Sequence, residues 1–90
     1  MSSLNPKFTN KFKRDLRRAE RRNKDVSKLK EIIHLLTHRQ PLPPKYHNHP
    51  LRGKWIGRWE CHIEPDWLLI YKIEGNDLRC ERIGTHSDLF

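Results

Sequence analysis

Ninety residues with 19 Lys+Arg against 11 Asp+Glu, a net charge of +8, describe one small basic domain. No apolar run approaches the ~18 residues of a membrane span. The start Met1-Ser2-Ser3-Leu4-Asn5-Pro6 has no apolar signal-peptide core, and Cys61 and Cys80 lie outside any CxxC pair, which argues against a disulfide framework. A cytoplasmic protein with two reduced, mostly buried thiols is expected.

Leu4 to Phe8 reads as a first strand, confined by Pro6 to an edge or to its own start. Thr9 or Asn10 can cap a helix whose apolar stripe is Phe8, Phe12, Leu16 and Ala19. The other side of that helix is basic. Asn23-Lys24-Asp25 breaks the pattern, and Asp25 caps a second helix over roughly residues 26–38, with Val26, Leu29, Ile32, Ile33 and Leu36 as its core stripe. Pro41, Pro43 and Pro44 open a loop that carries Tyr46, His47, Asn48 and His49. Strands are expected at Trp59 to Glu64, Trp67 to Glu74 and Asp77 to Thr85, with a shorter one near Leu51 to Gly53. Tight turns at Pro65-Asp66 and Gly75-Asn76 join the three long ones. The pattern predicts an α+β domain with two N-terminal helices packed on one face of a small antiparallel sheet.

The charge is uneven. Residues 1–48 hold 13 Lys+Arg and 4 Asp+Glu, a net +9, and residues 49–90 hold 6 and 7, a net −1. Arg14, Arg17, Arg18, Arg21 and Arg22 of the first helix are the natural phosphate-binding surface, set apart from any chemical site. A solvated helix face is the plain alternative.

The second half holds the reactive groups: His49, His62, Asp66, Arg82 and His86, with Phe90 behind them. Three imidazoles, a carboxylate and a guanidinium suffice to cut a phosphodiester without a metal or other cofactor. One group takes a proton from the attacking hydroxyl, another donates to the leaving oxygen, and the guanidinium holds the charge that builds on phosphorus. An unperturbed histidine titrates near pH ~6.5 and suits either proton-transfer role.

If Glu64 opposes Trp67 and Glu74 opposes Asp77, then His62, Leu69 and Arg82 form one row across three strands. His62 and Arg82 would stand about 9–10 Å apart at the backbone. Gly84 and His86 would continue the same face. Trp59, Cys61, Ile63, Leu68, Ile70 and Ile83 would face the helices.

Each group also has a plainer reading. His47, His49 and His62 are three possible zinc ligands, but no carboxylate or thiol stands at a firm spacing to complete the site. His34 and His38 form an exposed i, i+4 pair on the second helix. Arg82 can pair with Glu60 or Glu81, and Asp66 can cap its own turn. Trp67 is either core or a base-stacking ring. A binding module without catalysis, for RNA or for a protein partner, is the rival class.

Three stretches carry a resemblance: Asn48-His49-Pro50-Leu51-Arg52-Gly53, Cys61-His62-Ile63-Glu64-Pro65-Asp66-Trp67-Leu68-Leu69-Ile70-Tyr71, and Glu81-Arg82-Ile83-Gly84-Thr85-His86-Ser87-Asp88-Leu89-Phe90. In order and spacing they resemble the YafQ branch of the RelE toxin superfamily. The resemblance implies a RelE-like fold and a ribosome-dependent endoribonuclease that cuts mRNA in the A site. It also implies a monomeric free toxin silenced by a cognate antitoxin, with mRNA and the 70S ribosome as its other partners and no cofactor. Residue by residue it places site roles on His49, His62, Asp66, Trp67, Arg82, His86 and Phe90. His86 is then the first choice for general acid, Asp66 or His62 is the base, and Trp67 and Phe90 hold a base of the RNA.

Overall fold

The computed structural model describes residues 3–90. Met1 and Ser2, part of the start read above for a signal sequence, lie outside the described residues. The chain runs β1 (Asn5–Phe8), α1 (Asn10–Arg21), α2 (Val26–Thr37), β2 (His49–Pro50), β3 (Trp59–Glu64), β4 (Trp67–Glu74), β5 (Asp77–Gly84) and α3 (His86–Leu89). Thr9 Oγ1 accepts from Phe12 N at the start of α1, and the Asp25 carboxylate accepts from Ser27 N at the start of α2. No helix among the described residues is long and apolar enough to cross a membrane.

The sheet order is β1-β5-β4-β3-β2. It is antiparallel except at one edge, where β1 pairs parallel with β5. A strand that leads through two helices before its partner forms can return in either direction, which the local pattern does not reveal. The short strand expected near Leu51 instead lies at His49–Pro50, and Gly53–Trp55 forms a 3-10 turn.

Both hairpin turns fall where expected, with Glu64 opposite Trp67 and Glu74 opposite Asp77. The rows beyond them do not. Ile63 is an extra residue in β3, so His62 opposes Leu68. Glu81 is an extra residue in β5, so Leu69 opposes Ile83 and Arg82 opposes Ile70. A bulge puts two residues against one and resets every row past it. The expected row of His62, Leu69 and Arg82 is thereby replaced by two rows, His62–Leu68–Gly84 and Glu60–Ile70–Arg82.

The bulges also exchange part of the core. Leu69, Trp67 and Tyr71 join Cys61, Ile63 and Ile83 against the helices, with Phe12, Ala19, Leu29, Ile32 and Leu36. Leu68 and Ile70 lie in a second, smaller cluster with Leu89, Leu51 and Trp55, and Trp59 is exposed. Cys61 and Cys80 are free and buried, and burial pushes both thiols up to about 12.

Helix α3 lies beyond the elements expected from the sequence. Thr85 and Asp88 form a reciprocal capping box at its start. It folds back so closely that a Cβ on Gly84 would lie 2.9 Å from the Asp88 Cβ. Only glycine allows this return, which brings His86 over the end of the sheet.

Candidate active site

His49 follows the turn that ends at His47, a residue in the left-handed region at φ 45°. The His47 carbonyl lies 2.7 Å from His49 Nδ1. A carbonyl only accepts, so Nδ1 is the donor and Nε2 points away from the turn. His62 follows Glu60 by two residues on β3 and so shares its face. Its Nε2 lies 3.1 Å from Glu60 Oε1, and His49 Nε2 approaches the same oxygen at 3.5 Å. His86, at the start of α3, gives both its backbone N–H and its ring Nδ1 to Asp66 Oδ1, at 3.0 and 2.7 Å.

The histidines converge. Ring centroids of His49 and His62 are 6.1 Å apart, those of His47 and His62 5.5 Å, and those of His62 and His86 6.0 Å. In His62 and His86 one nitrogen meets an oxygen acceptor and the other remains for chemistry, whereas His49 has Nδ1 on the His47 carbonyl and Nε2 3.5 Å from Glu60 Oε1. The two bonds from His86 hold the Asp66 carboxyl below its ordinary range, so it is a carboxylate at neutral pH. Phe90, 59% exposed, stands 6.4 Å from the His86 ring.

Arg82 lies elsewhere than the expected row. Its Nε and Nη2 donate to Asp15 on α1, at 2.7 and 3.1 Å. Among the described residues, no hydrogen bond or ion pair joins it to the histidines. Asp15 is 5% exposed and also accepts from Arg18 Nη2 and from Ile83 N, where the β5 edge runs past the end of β1. Arg14, Arg18 and Arg21 line a cleft with Arg82 and Lys11. Arg17 is exposed but does not line that cleft, and Arg22 pairs with Asp88 at 2.9 Å.

Trp67 requires a correction. It is 2% exposed in the core between sheet and helices, because the Ile63 bulge turns it inward. It has no face to offer a base. The metal reading also changes. The donors that approach one another are His49, Glu60 and His62, all within 4.8 Å, and His47 is not among them. Glu60, 5% exposed, is the carboxylate missing from the sequence pattern of zinc ligands. Its position two residues before His62 on a strand was the available signal.

His47, His49 and His62 open into a cleft of about 940 Å³ whose other walls carry Lys24, Lys28 and Lys45 together with Glu31, Glu64 and Asp66. Lys24 and Lys28 pair with Glu64 at 3.6 and 3.1 Å. Nothing local in the sequence links these lysines to the histidines; the fold of α2 beside β3 does.

Residues 4–90 match the family model described as the bacterial toxin of type II toxin–antitoxin system, YafQ. The chain belongs to the YafQ family of bacterial type II toxins. The mRNA interferase toxin YafQ of Escherichia coli K12 is 45% identical over 84 residues, covering 92% of this chain and 91% of that protein. The fold matches the toxin in the E. coli DinJ-YafQ toxin–antitoxin complex, with a TM-score of 0.90 and 43% identity over 98% of both chains. It also matches a metal-bound toxin from Helicobacter pylori, with a TM-score of 0.91 and 39% identity over 97% of this chain and 99% of that one.

Proposed function

We propose that this toxin is a ribosome-dependent endoribonuclease that cuts mRNA in the A site by metal-independent acid–base chemistry. The carrying observation is the 2.7 Å bond from His86 Nδ1 to a depressed Asp66 carboxylate, with the His62 ring 6.0 Å away. The Asp66 carboxylate accepts from Nδ1 and fixes the ring, and the outward Nε2 is the atom that serves as general acid toward the leaving 5′ oxygen.

Asp66 is occupied in holding that acid. This favours His62 as the base that takes the 2′-hydroxyl proton, with Glu60 fixing its ring and His49 beside it positioning the phosphate. The 2′ oxygen bonds to phosphorus, the 5′ oxygen leaves with the proton from His86, and a 2′,3′-cyclic phosphate and a 5′-hydroxyl result. Arg82 contributes positive charge from the β5 edge toward the phosphates, and Phe90 contacts a base. Lys24, Lys28 and Lys45 give the strand a cationic path to the histidines, and Arg14, Arg17, Arg18 and Arg21 contact further RNA phosphates. The partner in the cell is a cognate antitoxin, as DinJ is for the E. coli protein, and both act in the cytoplasm. Without it the toxin is a monomer.

The test is end-mapping of a translated reporter mRNA after induction, beside the same message left untranslated. Cuts within codons of the translated message alone are expected. His86→Ala or Arg82→Ala should lower cleavage by roughly 10²–10⁴-fold. Ribosome binding without any cut would identify a non-catalytic binding module instead.

A further inference from the structure

With Trp67 buried, another ring must meet the RNA if a base is held by stacking. Trp55 ends the 3-10 turn Gly53–Trp55 and is half-buried, its inner side packed on the small cluster of Leu68, Ile70 and Leu89. It lines a cleft of about 510 Å³ together with Lys11, Arg14, Arg58 and Arg82, a volume within the range of small-ligand sites. Two of the guanidiniums are fixed in advance. Arg58 Nε is held by Glu81 at 3.2 Å, and Arg82 by Asp15.

The cleft connects to the chemistry through a line of rings. Trp55 meets Phe90 edge-on at 6.1 Å, Phe90 lies 6.4 Å from His86, and His86 lies 6.0 Å from His62. A single strand can therefore lie in the cleft and still reach the histidines.

We propose that this cleft is a nucleotide subsite, in which Trp55, with Phe90 beside it toward the histidines, holds a base flanking the cut and Arg14, Arg58 and Arg82 hold its phosphate. The proposal rests on the ribonuclease reading above. Aromatic faces beside fixed guanidiniums suit single-stranded RNA, whose bases stack and whose phosphates take the forked donors. An acidic peptide would use the cations and leave the rings idle.

The test couples the ring to the base. Ribosomes programmed with short mRNAs that carry an abasic nucleotide at each position of, and next to, the A-site codon are treated with the parent and with Trp55→Leu. In the parent, one abasic position should slow single-turnover cleavage by about 5- to 150-fold, the range for one base–aromatic stack. Trp55→Leu should cleave the intact message slower by a similar factor and be indifferent to base removal at that position. Equal losses on intact and abasic messages would make Trp55 a packing residue only and overturn the proposal. So would a parent that ignores every abasic position. Should Trp55→Leu not fold, 4-thiouridine at the sensitive position, irradiated with the parent, should cross-link to the peptide that carries Trp55 or Phe90; cross-links confined elsewhere refute the subsite. A parent that leaves the intact message uncut refutes the ribonuclease reading itself.

Discussion

Asp15 is the group on which the geometry of Arg82 depends, and its removal has a predictable size. The carboxylate is 5% exposed and accepts four hydrogen bonds: two from Arg82, one from Arg18 and one from the backbone of Ile83. Truncating one partner of a buried charge pair costs about 3–5 kcal/mol, mostly because the other is left uncompensated. The Arg82 and Arg18 side chains are 21% and 32% exposed and can turn to water. The Ile83 N–H cannot, so the low end, about 3 kcal/mol, is expected for Asp15→Ala. A domain of this size has roughly 5–13 kcal/mol in total. With a urea slope of about 1 kcal/mol/M for a small domain, the unfolding midpoint should fall by about 3 M. Asp15→Asn keeps an acceptor for Ile83 N and loses the charge, so it should fall by about half as much. It should still cleave more slowly than the parent, because the Arg82 fork is no longer fixed. Matched urea titrations followed by circular dichroism measure the first effect and reporter cleavage the second. A parent-like midpoint for Asp15→Ala would refute the idea that this carboxylate ties β5 to α1.

Asp66→Ala removes the oxygen that accepts from the His86 ring and backbone, so cleavage should slow while ribosome binding persists; parent-rate cleavage would remove Asp66 from the positioning of the acid. Cleavage should survive a chelator at a Mg²⁺ level that keeps ribosomes intact, whereas added Zn²⁺ or Cu²⁺ should inhibit by occupying His49, Glu60 and His62. Activity lost on chelation and restored by stoichiometric zinc would reverse the metal-independent reading. Replacing Arg14, Arg18 and Arg21 together by Gln should weaken ribosome association and flatten its salt dependence by about one unit of log–log slope, or slightly less, for each phosphate no longer neutralised, with the codon preference unchanged. Parent affinity at every salt concentration combined with cuts at new codons would show that this helix reads bases.

Much of the local chemistry was legible in the sequence through short-range rules. The helix caps at Thr9 and Asp25, the strands Trp59–Glu64 and Trp67–Glu74, and both hairpin turns follow from capping, alternation and turn residues. What failed was counting outward from the turns. Ile63 and Glu81 are ordinary strand residues, and nothing in their side chains announces a bulge. Two such insertions moved Leu68, Leu69 and Ile70 to opposite faces and put Glu60, rather than His62, in the row of Arg82. Asp15 did leave a signal. With Phe12, Leu16 and Ala19 it falls at i, i+3, i+4 and i+7, so it is an acid in the apolar stripe of α1 and had to be buried with partners. The Thr85–Asp88 capping pair likewise announced α3.

The arrangement of the histidines bears on how such a toxin is controlled. Each ring already has one nitrogen on an oxygen acceptor within the isolated chain: His49 on the His47 carbonyl, His62 on Glu60, and His86 on Asp66. No segment has to close before those bonds form, and the side chains of His49, His86 and Asp66 are about half exposed or more. A site that is organised and open in the free protein has no internal off state. Restraint must then come from outside, either from a substrate presented only in one setting or from a partner that covers the site. A toxin from a toxin–antitoxin pair needs the second, and the ribosome dependence proposed above would add the first. On the reading proposed above, the arginines of α1 would serve both, since cations that draw in RNA phosphates would also draw in an acidic segment of the antitoxin.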